Sequence, residues 1–105
     1  MNLQKHVPYR NRQLLDLAHR VQECQIQLNG CRIFVDHGCE PVHSDQQKHG
    51  KGMRQKADDY KHAAGCHHCH EELSKLPRDI RDICWEQAHD RTFHIYWTNG
   101  WIKVS

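Results

Sequence analysis

The chain has 105 residues, enough for one domain, and only 37% of them are apolar, so its core must be small. Its formal charge is +2 with histidines neutral (pI ≈ 8.3), a mildly basic balance that does not by itself announce a nucleic-acid partner. No apolar run approaches the ~20 residues of a membrane span, and the polar N-terminus lacks the apolar centre of a signal peptide, so a cytoplasmic chain with reduced thiols is expected.

Residues 1–11 read as a flexible basic arm carrying Lys5 and Arg10 and interrupted by Pro8, and 12–105 as a single domain. From Arg12 to Gln22 the pattern is helical, with Leu14, Leu15, Leu17, Ala18 and Val21 on or near one face. Glu23 to Leu28 alternates polar and apolar residues and predicts a short strand. Asn29-Gly30 is a turn signal, Arg32 to Val35 a second short β stretch, and Asp36-His37-Gly38 another turn. Pro41 favours extension before it, and Val42-His43 ends that extended segment. Residues 44–57 are polar. Lys48, His49, Lys51 and Arg54 make a positively charged loop suited to DNA phosphates, without the spacing of a P-loop.

The small residues 63–65 allow a close backbone approach before Cys66, and a helix is expected from about His68 to Ser74. Pro77 suits the first turn of a further helix. On that helix Ile80, Ile83, Cys84, Ala88, Ile95 and Tyr96 are predicted to form the buried stripe. Asn99-Gly100 is read as its cap rather than as a hairpin turn, with Trp101 and Ile102 folding back onto the core.

Six cysteines in a reduced compartment read first as metal ligands. Cys66-x-x-Cys69 sets two thiolates on one side of a tight loop, as tetrahedral Zn2+ requires. Cys24 is the best third ligand. The fourth is Cys31, which closes the unit begun by Cys24, or alternatively Cys39. Cys84 fits the apolar stripe and reads as a buried small residue.

Two β segments followed by a helix, with one histidine on each side, are also the parts of a ββα-metal (HNH) nuclease site. His43 would be the general base, and His70 a ligand of a catalytic Mg2+ or similar ion. Asp58 or Asp59 would complete the metal shell or orient His43, with Asp45 and His49 as weaker candidates. His6, His19, His37, His62, His89 and His94 read as solvated surface groups, and His67 and His68 as pointing outward.

Across residues 12–105 the chain resembles the YbcO-like family of phage and prophage proteins, which themselves resemble HNH nucleases. The resemblance runs through Glu23-Cys24-Gln25, Val42-His43-Ser44, His49-Gly50-Lys51-Gly52-Met53, Lys56-Ala57-Asp58-Asp59, Cys66-x-x-Cys69-His70-Glu71, Arg91-Thr92 and Gly100-Trp101-Ile102-Lys103-Val104. It implies an α+β fold, a small zinc-stabilised ββα-metal domain with flanking helices, and a metal-dependent DNA endonuclease of a bacterial host cell. Cys24, Cys31, Cys66 and Cys69 match the zinc positions, and His43 and His70 the two HNH histidines. The chain departs from the pattern in three places. The middle asparagine is missing, with Asp59 nearest in role. Cys39 lies between Cys31 and His43. His43 has no neighbouring His or Asp as a further ligand. A RecA-type recombinase is a partner by analogy with a related phage nuclease. The competing expectation is a non-catalytic zinc module that binds DNA or protein.

Overall fold

Two short strands and the helix that follows them position everything else. The computed structural model describes residues 10–31, 33–44 and 58–102. Most of the expected arm, and the expected basic loop with Asp45, Lys48, His49, Lys51 and Arg54, lie outside the described residues. Strand β1 (Glu40–His43) pairs antiparallel with β2 (His62–Gly65), in the register Glu40↔Gly65, Pro41↔Ala64, Val42↔Ala63 and His43↔His62. Helix α1 (Arg12–Asp16) precedes them; α2 (His67–Leu73) and α3 (Arg78–Thr98) follow. The described residues thus make a small α+β structure with a two-stranded sheet and three α-helices.

Pro41 sits in a strand without costing a ladder bond. Its partner Ala64 turns both backbone groups away from β1: the N–H donates to Thr92 Oγ1 (2.9 Å) and the carbonyl accepts from Gln25 N (3.0 Å). Alternation then gives the hairpin two buried faces. Val42 and Ala63 join Cys24, Ile26, Leu73, Trp85 and Ala88 on one side. Ala64 joins Ala18, Val21, Cys39 and Tyr96 on the other. The close approach expected of residues 63–65 is real: a Cβ on Gly65 would lie 2.5 Å from Ile26 Cδ1.

The N-terminal helix is shorter than its pattern suggests. Asn11 caps it, its side chain accepting from Leu14 N (3.1 Å). After Asp16 it tightens into a 3-10 turn (Leu17–Arg20), and only Ala18 and Val21 of the expected stripe are buried. Val21 leaves the helix because its carbonyl accepts from Cys39 N (2.8 Å). The strand expected over Glu23 to Leu28 reduces to a single bridge, Glu23↔Phe34, and Gln27 and Ile33 take positive φ. The backbone there bends around cysteine sulfur instead of entering a ladder.

Helix α3 has no Gly or Pro from 78 to 98, and Pro77 begins it. Its buried face is Trp85, Ala88, Thr92 and Tyr96, at 3–4 residue spacing. Ile80 and Ile83 are exposed, contrary to the predicted stripe. Trp85 sets the face instead, because its ring is buried and its Nε1–H donates to the Val42 carbonyl (2.9 Å). The Asn99-Gly100 cap forms as expected. Gly100 adopts φ 72, Gly100 N donates to Trp97 O (3.0 Å) and Trp101 N to Tyr96 O (2.9 Å), the paired bonds of a Schellman end. Trp101 and Ile102 pack back on the Tyr96 side.

Candidate functional site

Four sulfurs from three places in the chain meet beside the β2–α2 junction. The Sγ atoms of Cys24, Cys31, Cys66 and Cys69 all lie within 4.8 Å of one another. Cys66 is the N-cap of α2 and Cys69 lies in its first turn, so the helix start aims both inward. The Cys24 loop is held against them by Gln25 N on the Ala64 carbonyl and by the Arg91 guanidinium on the Gln25 carbonyl.

Backbone N–H groups then point at the sulfurs. Cys24 Sγ accepts from Gln27 N (3.5 Å) and Cys66 N (3.3 Å), Cys31 Sγ from Ile33 N (3.2 Å), Cys66 Sγ from Cys69 N (3.4 Å), and Cys69 Sγ from Leu28 N (3.3 Å). Such donors favour thiolate over thiol. At Cys24 they outweigh burial, which alone would raise its pKa, and the net shift is downward. Burial and neighbouring sulfurs push Cys69 upward, a crowding that a cation relieves. Four convergent sulfurs with N–H donors fit a metal ion such as zinc.

Cys39, the alternative fourth ligand, is not part of this cluster. It packs on the other hairpin face with Tyr96 and Ala18, and burial pushes its pKa up to about 12, so it stays a neutral thiol. Cys84 is half-buried at the rim of the core.

His43 ends β1 and is half-buried. Its Nε2 lies 3.4 Å from Oδ1 of buried Asp59. Asp59 also accepts from Asn11 N (2.5 Å) and pairs with Arg10 (3.7 Å). Of the two aspartates singled out in the sequence, it is Asp59 whose carboxylate lies beside the His43 ring. Asp58 is buried beside it. His70 belongs elsewhere: its Nδ1 bonds Glu40 Oε2, at the opposite end of β1.

The expected meeting of His43 and His70 around one ion does not occur, and strand parity is the reason. Glu40 and His43 are three residues apart, which puts their side chains on opposite faces and their Cα atoms about 10 Å apart. His43 pairs across the sheet with His62 on the Tyr96 side, while Glu40 and His70 are on the α2 side. Among the described residues, only the four cysteines gather three or more metal-ligating atoms.

Two histidines expected at the surface are not there. His62 is fully buried: its Nδ1–H donates to the Asp59 carbonyl (2.6 Å), so Nε2 accepts from the Tyr96 hydroxyl (2.8 Å). Burial lowers its pKa to about 4. His89 stacks on Trp85 (4.9 Å between centroids) and bonds the Tyr60 carbonyl. The His62–Tyr96 partnership joins residues 34 apart and has no local signature. Glu40, likewise unassigned from sequence, was detectable only through the register that sets it beside α2.

No helix of the described residues is long and apolar enough to cross a membrane. Comparison with known proteins returned no matching family model, no matching curated protein and no matching solved structure.

Proposed function

We propose that the chain is a divalent-ion-dependent DNA endonuclease of the ββα-metal type, with a structural zinc held by Cys24, Cys31, Cys66 and Cys69. The observation that carries this reading is His43 at the end of β1, half-exposed and backed by the buried Asp59 carboxylate. A carboxylate accepts only, so Asp59 would hold the proton on His43 Nε2 and orient the ring. His43 would take a proton from water attacking a phosphodiester, and Asp59 would stabilise the resulting imidazolium. A divalent ion, when bound, neutralises charge building on the phosphate and the leaving oxygen. The family resemblance implies His70 as an ion ligand, but its side chain bonds Glu40 on the opposite hairpin face from His43, so this reading assigns the catalytic ion no ligand among the described residues. Lys48, His49, Lys51 and Arg54 would hold the DNA backbone, and a RecA-type recombinase would present it.

One observation favours a second reading, a non-catalytic zinc module that binds DNA or protein: His43 and His70 lie on opposite hairpin faces. Asp59 would then serve mainly to pin Asn11 and Arg10 to the sheet. Supercoiled plasmid incubated with and without Mg2+ or Mn2+ decides between them. The nuclease reading expects ion-dependent nicking that His43→Ala abolishes while the protein stays folded. Salt-sensitive DNA binding without nicking establishes the second reading.

A further inference from the structure

We propose that Cys31 and Cys66 are the oxidation site of the metal cluster, where hydrogen peroxide joins the two sulfurs in a disulfide and expels the ion. The site needs only the four-cysteine cluster and is independent of any action on DNA.

The four ligands are unequally covered. Cys24 and Cys69 are fully buried, whereas Cys31 is half-buried and Cys66 keeps 8% of its surface. Cys66 also lines an open cavity of about 710 Å3, whose walls include Gly30, Phe34, Val35 and His37. Hydrogen peroxide is little larger than water and can reach that edge. The two sulfurs at the edge are neighbours: Cys31 Sγ lies 3.8 Å from Cys66 Sγ. Metal coordination keeps both as thiolates. An accessible thiolate beside a second cysteine is what a peroxide oxidises first.

The loop that carries Cys31 is set to move. Ile33 has φ 64, a left-handed conformation that is strained for a β-branched residue. Its side chain is 55% exposed, so it gains little packing to offset the strain. Its N–H donates to Cys31 Sγ (3.2 Å) and its carbonyl accepts from Cys24 N (2.6 Å). The bond to the thiolate is thus one of the contacts that hold the strained turn. Oxidation weakens it, because a disulfide sulfur is a poorer acceptor than a thiolate. The sulfurs need to close only from 3.8 Å to a bond of about 2 Å.

The chemistry runs in two steps. Cys31 Sγ attacks one peroxide oxygen: the S–O bond forms, the O–O bond breaks, and hydroxide leaves and takes a proton from solvent, giving the sulfenic acid. Cys66 Sγ then attacks that sulfur: the S–S bond forms, the S–O bond breaks, and the second hydroxide takes a proton in turn. Two thiolates lose two electrons to one peroxide, giving one disulfide and two waters. Cys24 and Cys69 remain as the only ligands, too few to hold the ion. The Cys24 loop is then no longer tied through the metal to the start of α2.

The test exposes full-length, zinc-loaded protein to excess hydrogen peroxide in the presence of a chromophoric zinc chelator, against a sample without peroxide. One zinc should be released per disulfide, and free thiols should fall from six to four as the first disulfide forms. After iodoacetamide blocks the remaining thiols, proteolysis and tandem mass spectrometry should place that disulfide between Cys31 and Cys66. Cys84→Ser, which removes the other half-buried thiol, should release zinc within twofold of the parent's rate. A parent that holds no zinc, zinc retained under excess peroxide, a first disulfide between any other pair, or release slowed by Cys84→Ser overturns the proposal.

Discussion

The buried His62 ring should make stability fall with acid in a window set by its own titration. Its folded pKa is lowered by burial to about 4, against an ordinary value of 6.5. Between these values the unfolded chain binds a proton that the folded chain refuses, so stability rises with pH there. Nothing is lost above the unfolded pKa; the loss begins as pH falls below 6.5 and is complete near 4. The full difference corresponds to about 3 kcal/mol, and the part between pH 7.5 and 5.5 to about 1.3 kcal/mol. His89, also lowered by burial, adds in the same direction. Urea unfolding of the metal-loaded protein at pH 7.5 and 5.5 measures the slope, and His62→Gln should lose most of it. Proton NMR of the imidazole signals gives the pKa directly even where the variant folds poorly. A His62 signal titrating near 6.5 in the folded protein, or equal slopes for parent and variant, refutes the reasoning.

The cysteines should separate cleanly. Cys31→Ser should lose the bound metal, worth on the order of 10 kcal/mol in small zinc domains, and with it cooperative unfolding. Cys39→Ala should retain one metal per chain by elemental analysis and cost about 1–2 kcal/mol for the cavity. Gly38→Ala should destabilise by more than 2 kcal/mol in urea unfolding, because φ is +86 and a Cβ would lie 1.8 Å from the His19 carbonyl oxygen. Trp85→Ala should cost about 3–5 kcal/mol, whereas Ile83→Gln on the exposed face of the same helix should stay within about 0.5 kcal/mol.

What was legible in the sequence was what depends on neighbours. Cys66-x-x-Cys69, the Pro77 start of α3 and the Asn99-Gly100 end are local chemistry, and each appears in the structure as read. Cys31 was favoured over Cys39 because it closes the unit begun by Cys24, and it is Cys31 that reaches the cluster. The strand over Glu23 to Leu28 misled because its alternation was genuine while its backbone donors had another use. Gln27 and Leu28 give their N–H groups to cysteine sulfur, which no period-2 pattern encodes. The α3 stripe misled because aliphatic residues at 80 and 83 outscored a tryptophan at 85, yet only the tryptophan could both fill the core and satisfy the Val42 carbonyl. His62 resembled ten other histidines until Tyr96 was brought to it.

The four-cysteine cluster lies upstream of both histidine pairs, and this decides which variants speak to mechanism. Its Cys24 loop carries Gln25, which holds Ala64 of β2, and receives Arg91 from α3. Its Cys66–Cys69 segment starts α2, and so fixes where His67 and His70 stand relative to Glu40. Loss of any of the four ligands therefore releases the sheet that presents His43 and the helix that presents His70 together. A cysteine variant without activity would carry no information about catalysis. His43→Ala removes the contacts of a half-buried ring at the end of the strand, the one to Asp59 among them, and leaves the four-cysteine cluster, the Trp85 anchor and the α3 cap in place. Its phenotype in the plasmid assay therefore separates the proposed nuclease from the non-catalytic zinc module.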